Sequence, residues 1–300
     1  MSAAGEHSAN PLAAPYYADQ ALHGLRAVVE NVRIARDTYR IRLAWPDLAQ
    51  RIVPGQFVMH RLVDSNDPIL GRPLALYDTW DDDDGQLAGV DIVYLVLGKM
   101  TGRLAQLRPG DELELWGPLG NGFTPTPTER LVMVAGGIGQ TPFMALGREA
   151  LGGRTYGMPP RPNGYADQAT LCYGVRTAEL LAGAEDFRQA GIEVRLASDD
   201  GSVGRHGLVT GVLDELLDEV AGSGASVRIA CCGPEPMMEA VAHIAGLRKL
   251  PCEVSLETPM ACGIGICFSC VAKVRQPDGE WDYKRTCVEG PIFDSRKIVW

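Results

Sequence analysis

Hydrophobic and polar residues in the first part of the chain follow the two-residue period of β-strands. Between residues 22 and 122, apolar positions alternate with polar ones in short runs rich in Val and Ile. Gly, Pro and Asp residues separate the runs, as in the acidic turn 81–85. Many short strands with such turns predict a closed or nearly closed β-barrel. Predicted strands cover 25–34, 38–45, 56–62, 73–80, 90–97 and 112–116, with one short helix over 101–107.

The pattern changes after Pro125-Thr-Pro127. Residues 131–135 form a continuous apolar run, which is typical of a strand buried on both faces. Strands and helices then alternate, and this predicts βαβ units and a parallel sheet that binds ligands at the carboxyl ends of its strands. The predicted strands are 131–135, 170–175, 193–197 and 227–232, and the predicted helices are 141–151, 177–190, 208–220 and 236–247.

These patterns divide the chain into four segments. We expect an N-terminal extension over 1–21, a β-barrel over 22–124, an α/β domain with a parallel sheet over 125–248, and a cysteine-bearing domain over 249–300.

Composition and charge narrow the classes of function. The 300 residues are 46% hydrophobic and 22% charged, as expected of a soluble globular protein. The net charge of −10 disfavours nucleic acids and anionic membrane surfaces as partners. No apolar run is long enough to predict a membrane span, and the first residues lack the basic start of a signal peptide. A cytoplasmic protein is the resulting expectation.

The most specific motif lies near the C-terminus. The segment Cys262-Gly-Ile-Gly-Ile-Cys267-Phe-Ser-Cys270, followed by Cys287, has the C-x4-C-x2-C…C spacing of a plant-type [2Fe–2S] site. Gly263 and Gly265 allow a sharp loop and a close approach of backbone N–H groups to the sulfides. The predicted metal ligands are Cys262, Cys267, Cys270 and Cys287.

Three other interpretations of these cysteines compete. Disulfides are disfavoured because we find no secretory signal, and inert core cysteines are disfavoured by the crowded spacing. A zinc-bearing structural module remains open, although zinc sites more often use two separated C-x2-C pairs. Cys172 and Cys231 carry no chelating spacing and are predicted to be buried strand residues.

Two loops at predicted strand ends suit a nucleotide. The segment Gly136-Gly-Ile-Gly139-Gln-Thr141-Pro142 follows the first buried strand and opens a helix, so its backbone N–H groups can meet a diphosphate. Thr141 is placed to cap that helix, and Pro142 suits its first turn. The segment Cys232-Gly-Pro234 ends a later strand, and its functional interpretation is a contact with a nicotinamide ring. Plain βα turns are the alternative for both loops.

Two segments of the barrel carry candidate phosphate contacts. Arg72 precedes a predicted strand, and its planar guanidinium can pair with a diphosphate. Gly98-Lys-Met-Thr-Gly102 precedes a short helix. Each segment can equally be a surface loop.

Taken together, these motifs resemble the ferredoxin–NADP reductase superfamily. Within it, the chain is most similar to the electron-transfer subunits of two-subunit, NAD-dependent dihydroorotate dehydrogenases. The likeness covers nearly everything from residue 22 onward, and the cysteine tail is its most specific part. The narrower likeness rests on residues 117–123, 198–202 with 207–210, 255–265 and 287–293.

This resemblance implies a fold and a set of cofactor sites. It implies a β-barrel FAD domain, an α/β parallel-sheet domain for NAD(H) and a small C-terminal [2Fe–2S] domain held by the four cysteines. Ala75 stands where the family commonly has Ser or Thr, which leaves the tuning of the flavin open. The implied FAD contacts are Arg72, Pro73, Leu74, Ala75, Tyr94, Leu95, Val96, Thr101 and Gly102. The implied NAD contacts are Gly136, Gly137, Gly139, Cys232, Gly233 and Pro234.

The resemblance also implies a function. We expect electron transfer between NAD and an FMN-containing subunit that oxidises dihydroorotate in pyrimidine biosynthesis, in a heterotetramer of two copies of each subunit. The alternative keeps the cofactors and places the chain in a transhydrogenase, sulfide dehydrogenase, hydrogenase or sulfite reductase. NADH and NADPH both remain open, because Arg176 suits either a 2′-phosphate or the adenosine diphosphate. No acid–base catalyst is expected, and the five histidines are interpreted as structural or surface residues.

Overall fold

The computed structural model describes residues 18–63 and 65–300. Most of the predicted extension over 1–21 lies outside the described residues, and its described end is a short 3₁₀ turn, Ala18–Gln20. The described chain contains two seven-stranded sheets and one two-stranded sheet. None of its helices is both long and apolar enough to cross a lipid bilayer.

The first sheet is an antiparallel half-barrel with the strand order β4-β3-β7-β1-β2-β6-β5. Alternating burial along its strands places one row of apolar side chains in the barrel core. Its strands are β1 (Leu22–Ala35), β2 (Thr38–Ala44), β3 (Phe57–Leu62), β4 (Arg72–Ala75), β5 (Asp78–Asp81), β6 (Leu87–Leu95) and β7 (Glu112–Leu119), with helices α1 (Pro46–Arg51) and α2 (Lys99–Leu104) between them.

The prediction of a single strand over 73–80 is wrong. The segment forms two strands, β4 and β5, which lie at opposite edges of the sheet. Between them the buried Leu76 donates its backbone N–H to Gln56 O and Tyr77 donates its own to Asp91 O, each at 3.0 Å. The chain therefore crosses from one edge to the other at this point and nearly closes the half-barrel, as the turn-rich strand pattern predicted.

The second sheet has the strand order β11-β10-β9-β8-β12-β13-β16 and is parallel except at β16. Its strands, together with the hairpin β14–β15, are β8 (Thr128–Gly136), β9 (Ala166–Val175), β10 (Glu193–Ser198), β11 (Arg205–His206), β12 (Val227–Cys232), β13 (Cys252–Ser255), β14 (Val271–Arg275), β15 (Trp281–Arg285) and β16 (Ile292–Asp294). Its helices are α3 (Phe143–Ala150), α4 (Ala184–Gln189), α5 (Val209–Ala221) and α6 (Glu235–Leu247).

The buried strands of this sheet match the apolar runs in the sequence. Residues 131–135 are 0–1% exposed, and the predicted burial of Cys172 and Cys231 is confirmed. The helix predicted over 177–190 is wrong, because only a 3₁₀ turn, Ala178–Leu180, and the six residues of α4 form there. Gly183, with a φ of +68°, separates the two and breaks the helical path.

The cysteine-bearing tail is not separate from the second sheet. Its strand β13 pairs in parallel with β12, and β16 pairs antiparallel with β13. The remaining part of the tail is the cysteine loop and the antiparallel hairpin β14–β15. The tail therefore shares the hydrophobic core of the parallel sheet, including Val254 and Ile298.

A polar cluster joins the half-barrel to the parallel-sheet domain. Asp78 of β5 is 7% exposed and forms an ion pair with Arg148 of α3 at 2.5 Å. The Tyr156 hydroxyl donates to the same carboxylate at 2.6 Å. Arg154 forms a two-pronged ion pair with Asp81, at 2.8 and 2.6 Å. These contacts hold the half-barrel and the parallel-sheet domain, the two parts expected to bind nucleotides, in position relative to each other.

Candidate cofactor cleft and cysteine loop

A cleft of about 1120 Å³ opens along the carboxyl ends of the parallel sheet. The half-barrel contributes residues 95–97, the loops after β8 and β12 contribute 136–139 and 233–238, and the tail contributes 256–258 and 271–273. Open parallel sheets bind ligands at this edge, so the cleft lies where a dinucleotide is expected. The predicted site residues that the structure brings together here are Leu95, Val96, Gly136, Gly137, Gly139, Gly233 and Pro234.

The glycines of the two loops let the loops touch. A Cβ at Gly139 would lie 2.3 Å from the carbonyl oxygen of Cys232, and one at Gly233 would lie 2.9 Å from the amide nitrogen of Gly136. Only glycine permits backbones this close. Gly137 differs, because it takes a φ of +56° and a Cβ there would meet no atom of the described chain within 4 Å, apart from its immediate neighbours. Gly139 and Gly233 are therefore explained by the packing of the two loops, whereas Gly137 is explained by an open turn at the cleft.

The loop after β8 does not lead directly into a helix. Residues Gly137–Gln140 form a 3₁₀ turn, and α3 begins only at Phe143. The predicted capping role of Thr141 is wrong, because Pro142 is the N-cap residue and the helix has no side-chain cap. Gln140 was given no role from sequence, yet it is fully buried and neither side-chain amide atom has a hydrogen-bond partner among residues 18–63 and 65–300. Buried polar groups are normally satisfied, so this amide fits a site completed by a bound polar molecule.

Cys232 lies next to the cleft and interacts with Glu257, a tail residue that lines it. Cys232 is 3% exposed, and its pKa is raised first by burial and then by the charge of Glu257. Glu257 is exposed to the cleft, and partial desolvation by the atoms around it raises its pKa. A thiol whose pKa is raised in this way is a poor nucleophile at neutral pH.

The predicted flavin contacts on β4 lie apart from the residues that line this cleft. Arg72 is exposed, and one of its guanidinium nitrogens donates to the carbonyl oxygens of Leu70 and Gly71, at 3.1 and 3.0 Å. Pro73, Leu74 and Ala75 are partly buried along the same strand. The guanidinium of Arg72 thus keeps donors exposed, which suits an anionic group such as a diphosphate.

Tyr94 and Thr101 already have partners within the half-barrel. Tyr94 is 1% exposed, its hydroxyl donates to Asn31 Oδ1 at 3.0 Å, and burial raises its pKa. The Thr101 hydroxyl accepts from the backbone N–H groups of Leu97 and Gly98, at 2.9 and 3.2 Å. Gly102 lies beside it, and a Cβ there would meet no described atom beyond its own helix and neighbours within 4 Å. These roles are structural, and flavin contact by these residues stays a prediction.

The cysteine loop is folded by residues in the left-handed region. Gly263 and Gly265 have φ values of +72° and +81°, and Phe268 has a φ of +55°. The Ile264 N–H points to the Cys262 sulfur at 3.4 Å. The loop thus supplies the sharp turns predicted from its glycines and directs a backbone donor at a sulfur.

The four thiols are arranged in close contacts. Cys270 and Cys287 lie with their sulfur atoms 3.1 Å apart, and Cys267 interacts with both Ser269 and Cys262. The Ser269 hydroxyl, followed by Cys262, lowers the pKa of Cys267 to about 6. The pKa of Cys270 is lowered to about 6 by its hydrogen bond with Cys287, whose own pKa is raised. Cys267 and Cys270 therefore form thiolates readily, as metal ligands must.

The spacing of the thiols is the feature that favours a two-iron cluster over a single zinc ion. The thiols form a Cys270–Cys287 contact and a Cys262–Cys267 contact. Four thiolates in this spacing suit [2Fe–2S], whereas structural zinc requires four ligands around one centre.

Two residues that sequence reasoning missed hold the loop in place. Arg285 is 4% exposed, donates to the carbonyl oxygen of Gly265 at 3.1 Å and lies 4.9 Å from the centre of the Phe268 ring. Trp116 of β7 donates its indole N–H to the carbonyl oxygen of Cys262 at 2.9 Å. Neither residue belongs to a spacing motif, so only the three-dimensional contacts reveal these roles.

Comparison with known protein families assigns each part of the chain. The family model for the oxidoreductase FAD-binding domain matches residues 26–123, and that for the oxidoreductase NAD-binding domain matches 133–243. The model for the iron-sulfur cluster binding domain of dihydroorotate dehydrogenase B matches 257–299. The electron transfer subunit of dihydroorotate dehydrogenase B (NAD(+)) from Desulforamulus reducens is 36% identical over 268 residues, which cover 89% of this chain and 94% of that protein.

The chain belongs to the family of dihydroorotate dehydrogenase B electron transfer subunits.

Further members of this family are equally similar. The subunit from Geobacillus thermodenitrificans is 36% identical over 275 residues, which cover 91% of this chain and 96% of that protein. Among solved structures, an NADH-dependent reduced ferredoxin–NADP oxidoreductase aligns with a TM-score of 0.74 and 27% identity, over 92% of this chain and 90% of that one. A ferredoxin reductase of carbazole 1,9a-dioxygenase, at 21% identity and a TM-score of 0.61, shows the same fold over 77% of this chain and 67% of that one.

Membership of the family decides several expectations from sequence. The chain is an electron transfer subunit with FAD-binding, NAD-binding and iron–sulfur domains, as the resemblance implied. The zinc-bearing structural module is wrong, because the tail matches an iron–sulfur domain. The assignment of individual residues to each cofactor stays a prediction.

Proposed function

We propose that the chain passes electrons between NAD in the cleft and an FMN-containing catalytic subunit, through FAD on the half-barrel and a [2Fe–2S] cluster on the cysteine loop. The observation that carries this proposal is a contact between the cleft and the loop. Thr258 lines the cleft and its hydroxyl contacts the hydroxyl of Thr286. The Thr286 N–H donates to the carbonyl oxygen of Cys270 at 2.7 Å. The cleft proposed for NAD therefore adjoins the cysteine loop proposed for the cluster.

Each cofactor has a set of residues that fit it. The exposed guanidinium of Arg72 and the open surface at Gly102 suit the flavin diphosphate. The loops around Gly137 and Gly233 suit the nicotinamide nucleotide. The sulfur atoms of Cys262, Cys267, Cys270 and Cys287 suit iron.

The cofactors supply the redox chemistry: NADH exchanges two electrons as a hydride, the cluster exchanges single electrons, and the flavin can do both. The protein's part is to hold these groups in order and to keep water away. Cys232 and Gln140 are buried next to the two glycine-containing loops of the cleft, and we assign neither of them an acid or base role. The ion pair of Asp78 with Arg148 holds the half-barrel against the parallel-sheet domain, which supports a constant order of the proposed sites.

The cysteine loop also presents a surface for the catalytic subunit. Cys267 is exposed, and its neighbours Ile266 and Phe268 are 64% and 57% exposed. Large apolar side chains exposed beside a metal-binding loop are typical of a protein–protein contact. We propose that the FMN-containing catalytic subunit covers these two side chains, and that the complex is a heterotetramer.

A reconstitution experiment tests the function. The chain is purified without oxygen, and flavin, iron and sulfide are assayed; we expect one FAD and about two irons per chain. It is then mixed with the catalytic subunit, and NADH-dependent reduction of orotate is followed. Absence of flavin or iron, or reconstitution that leaves orotate unreduced, contradicts the proposal.

A matched pair of variants tests the docking surface. Phe268→Asp should weaken association with the catalytic subunit in analytical ultracentrifugation, because it places a charge in an apolar contact. Leu247→Asp, at an exposed residue of α6, is the control and should leave association unchanged. Equal behaviour of the two variants contradicts this surface, whereas the mass of the wild-type complex tests the heterotetramer.

A second function is supported by one comparison. The aligned NADH-dependent reduced ferredoxin–NADP oxidoreductase is 27% identical over most of both chains. If the chain served such a complex, the anaerobic protein would reduce ferredoxin in the presence of its partner and would leave orotate unchanged. Measuring both acceptors side by side separates the two functions.

A further inference from the structure

Arg176 and Asp199 stand side by side in the cleft. Arg176 follows β9 and Asp199 follows β10, two parallel strands whose last residues, Val175 and Ser198, are paired in register. The Asp199 N–H donates to the carbonyl oxygen of Val175 at 3.1 Å. Both side chains are exposed and line the cleft. The fold therefore presents one cation and one anion at adjacent strand ends.

Neither of these side chains has a partner within residues 18–63 and 65–300: neither forms a side-chain hydrogen bond or an ion pair there, and they do not pair with each other. The other arginine of the cleft behaves differently, because Arg36 forms an ion pair with Glu179 at 2.6 Å. Asp200, next in the chain, is also engaged, since its carboxylate accepts from the Ser202 hydroxyl at 2.6 Å. Arg176 and Asp199 are thus available to a ligand.

The strand order indicates which part of a dinucleotide reaches them. Cys232 and Glu257 lie at the ends of β12 and β13, beside the tail, and the half-barrel contacts the loop after β8. The reactive nicotinamide must face the flavin, so it belongs on that side. From β12 to β10 is three strand spacings, about 14 Å, and this places the adenosine end of an extended dinucleotide over Arg176 and Asp199.

We propose that Asp199 selects NADH by binding the ribose hydroxyls of the adenosine and by opposing Arg176, which would otherwise bind the 2′-phosphate of NADPH. The inference rests on the proposed NAD site. A carboxylate accepts hydrogen bonds from vicinal hydroxyls, as acidic residues do in other dinucleotide-binding folds. The same carboxylate repels a phosphate dianion, whereas a guanidinium binds phosphate through two parallel hydrogen bonds.

The proposal predicts that replacing Asp199 strengthens the binding of a 2′-phosphate, and that this gain depends on Arg176. The probes are 5′-AMP and 2′-phospho-AMP, titrated calorimetrically into the holoprotein, so that binding is measured without turnover. The wild type should prefer 5′-AMP. Asp199→Asn should bind 2′-phospho-AMP at least about tenfold more tightly than the wild type does, equivalent to 1.4 kcal/mol. In Asp199→Asn combined with Arg176→Gln, that gain should disappear.

Controls separate this inference from the proposed site itself. Asp200→Asn removes a neighbouring carboxylate that is already engaged, and it should leave the preference unchanged. No gain in Asp199→Asn, or a gain that survives removal of Arg176, overturns the selection by Asp199 while the NAD site stands. Wild-type protein that binds neither probe overturns the NAD site and this inference with it.

Discussion

The indole N–H of Trp116 donates a hydrogen bond to the carbonyl oxygen of Cys262, 146 residues further along the chain, at 2.9 Å. The half-barrel thus directly contacts the first cysteine of the loop. The packing is tight, because a Cβ at Gly263 would lie 2.5 Å from Met59 Cγ. The distance between the half-barrel and the cysteine loop is therefore set by contacts of the half-barrel itself.

Trp116→Phe tests this contact. The substitution keeps an aromatic ring but removes the donor, and one neutral hydrogen bond contributes about 1 kcal/mol. We expect iron to be released to a chelator about fivefold faster than from the wild type, which is the rate equivalent of that energy. Trp80→Phe is the control, since the Trp80 indole donates to Leu43 O, away from the cysteine loop. Equal release from both variants would show that the Trp116 bond does not hold the loop.

Cys270→Ser tests the ligand assignment. Cys270 is 1% exposed and its sulfur lies against that of Cys287, so an oxygen in its place should weaken iron binding. We expect the purified variant to lose most of its iron, while NADH still bleaches the flavin and orotate is no longer reduced. Cys172→Ala, in the buried strand β9, is the control and should retain iron. A variant that keeps two irons per chain contradicts the role of Cys270.

The stability of the half-barrel should depend on the protonation of His60. His60 is 1% exposed, and burial, aided by the positive charge of Arg72, lowers its pKa from 6.5 to about 4. The unfolded chain therefore binds a proton that the folded chain does not accept. Stability should fall as the pH drops from about 6.5 to about 4, by about 3 kcal/mol in total.

Urea unfolding at pH 7 and at pH 5 measures this effect. His60→Leu should flatten the dependence, because the titrating group is gone. His206→Gln changes an exposed histidine and should keep the wild-type dependence. A His60→Leu protein that loses as much stability between these pH values as the wild type would assign the effect to other groups.

Arg148→Ala tests the cluster that joins the half-barrel to the parallel-sheet domain. The variant leaves the buried Asp78 carboxylate without its cation, and breaking a buried pair in this way costs about 3 kcal/mol. Arg205→Ala removes an exposed pair with Glu215 and should cost less than about 1 kcal/mol. Chemical unfolding compares the two, and equal losses would mean that the Asp78 contact does not stabilise the junction.

Local patterns in the sequence predict much of this fold. Alternating and continuous apolar runs locate the strands, because strand faces and buried strands impose those periods on the chain. The spacing of Cys262, Cys267 and Cys270 indicates the cluster, because three iron ligands on one short loop have to lie this close together in sequence. Gly263 and Gly265 were expected to turn this loop, and their φ values confirm it.

Other features depend on contacts between distant residues. The break at Leu76 and Tyr77 follows from hydrogen bonds to two different strands, which no local pattern encodes. Helix α1 (Pro46–Arg51) was missed because its six residues are too few to show a helical period. Arg285 and Trp116 were missed for a similar reason, since each acts through a backbone carbonyl that any residue could supply.

The place of β13 and β16 at the edge of the parallel sheet limits how this protein can be rearranged. Cutting the chain at residue 248 would strip β12 of its outer neighbours and expose its backbone amides and apolar side chains to solvent. A shortened protein of this kind should aggregate instead of behaving as a free flavin reductase. The iron-binding tail and the nucleotide-binding sheet can therefore be transferred between related enzymes only together.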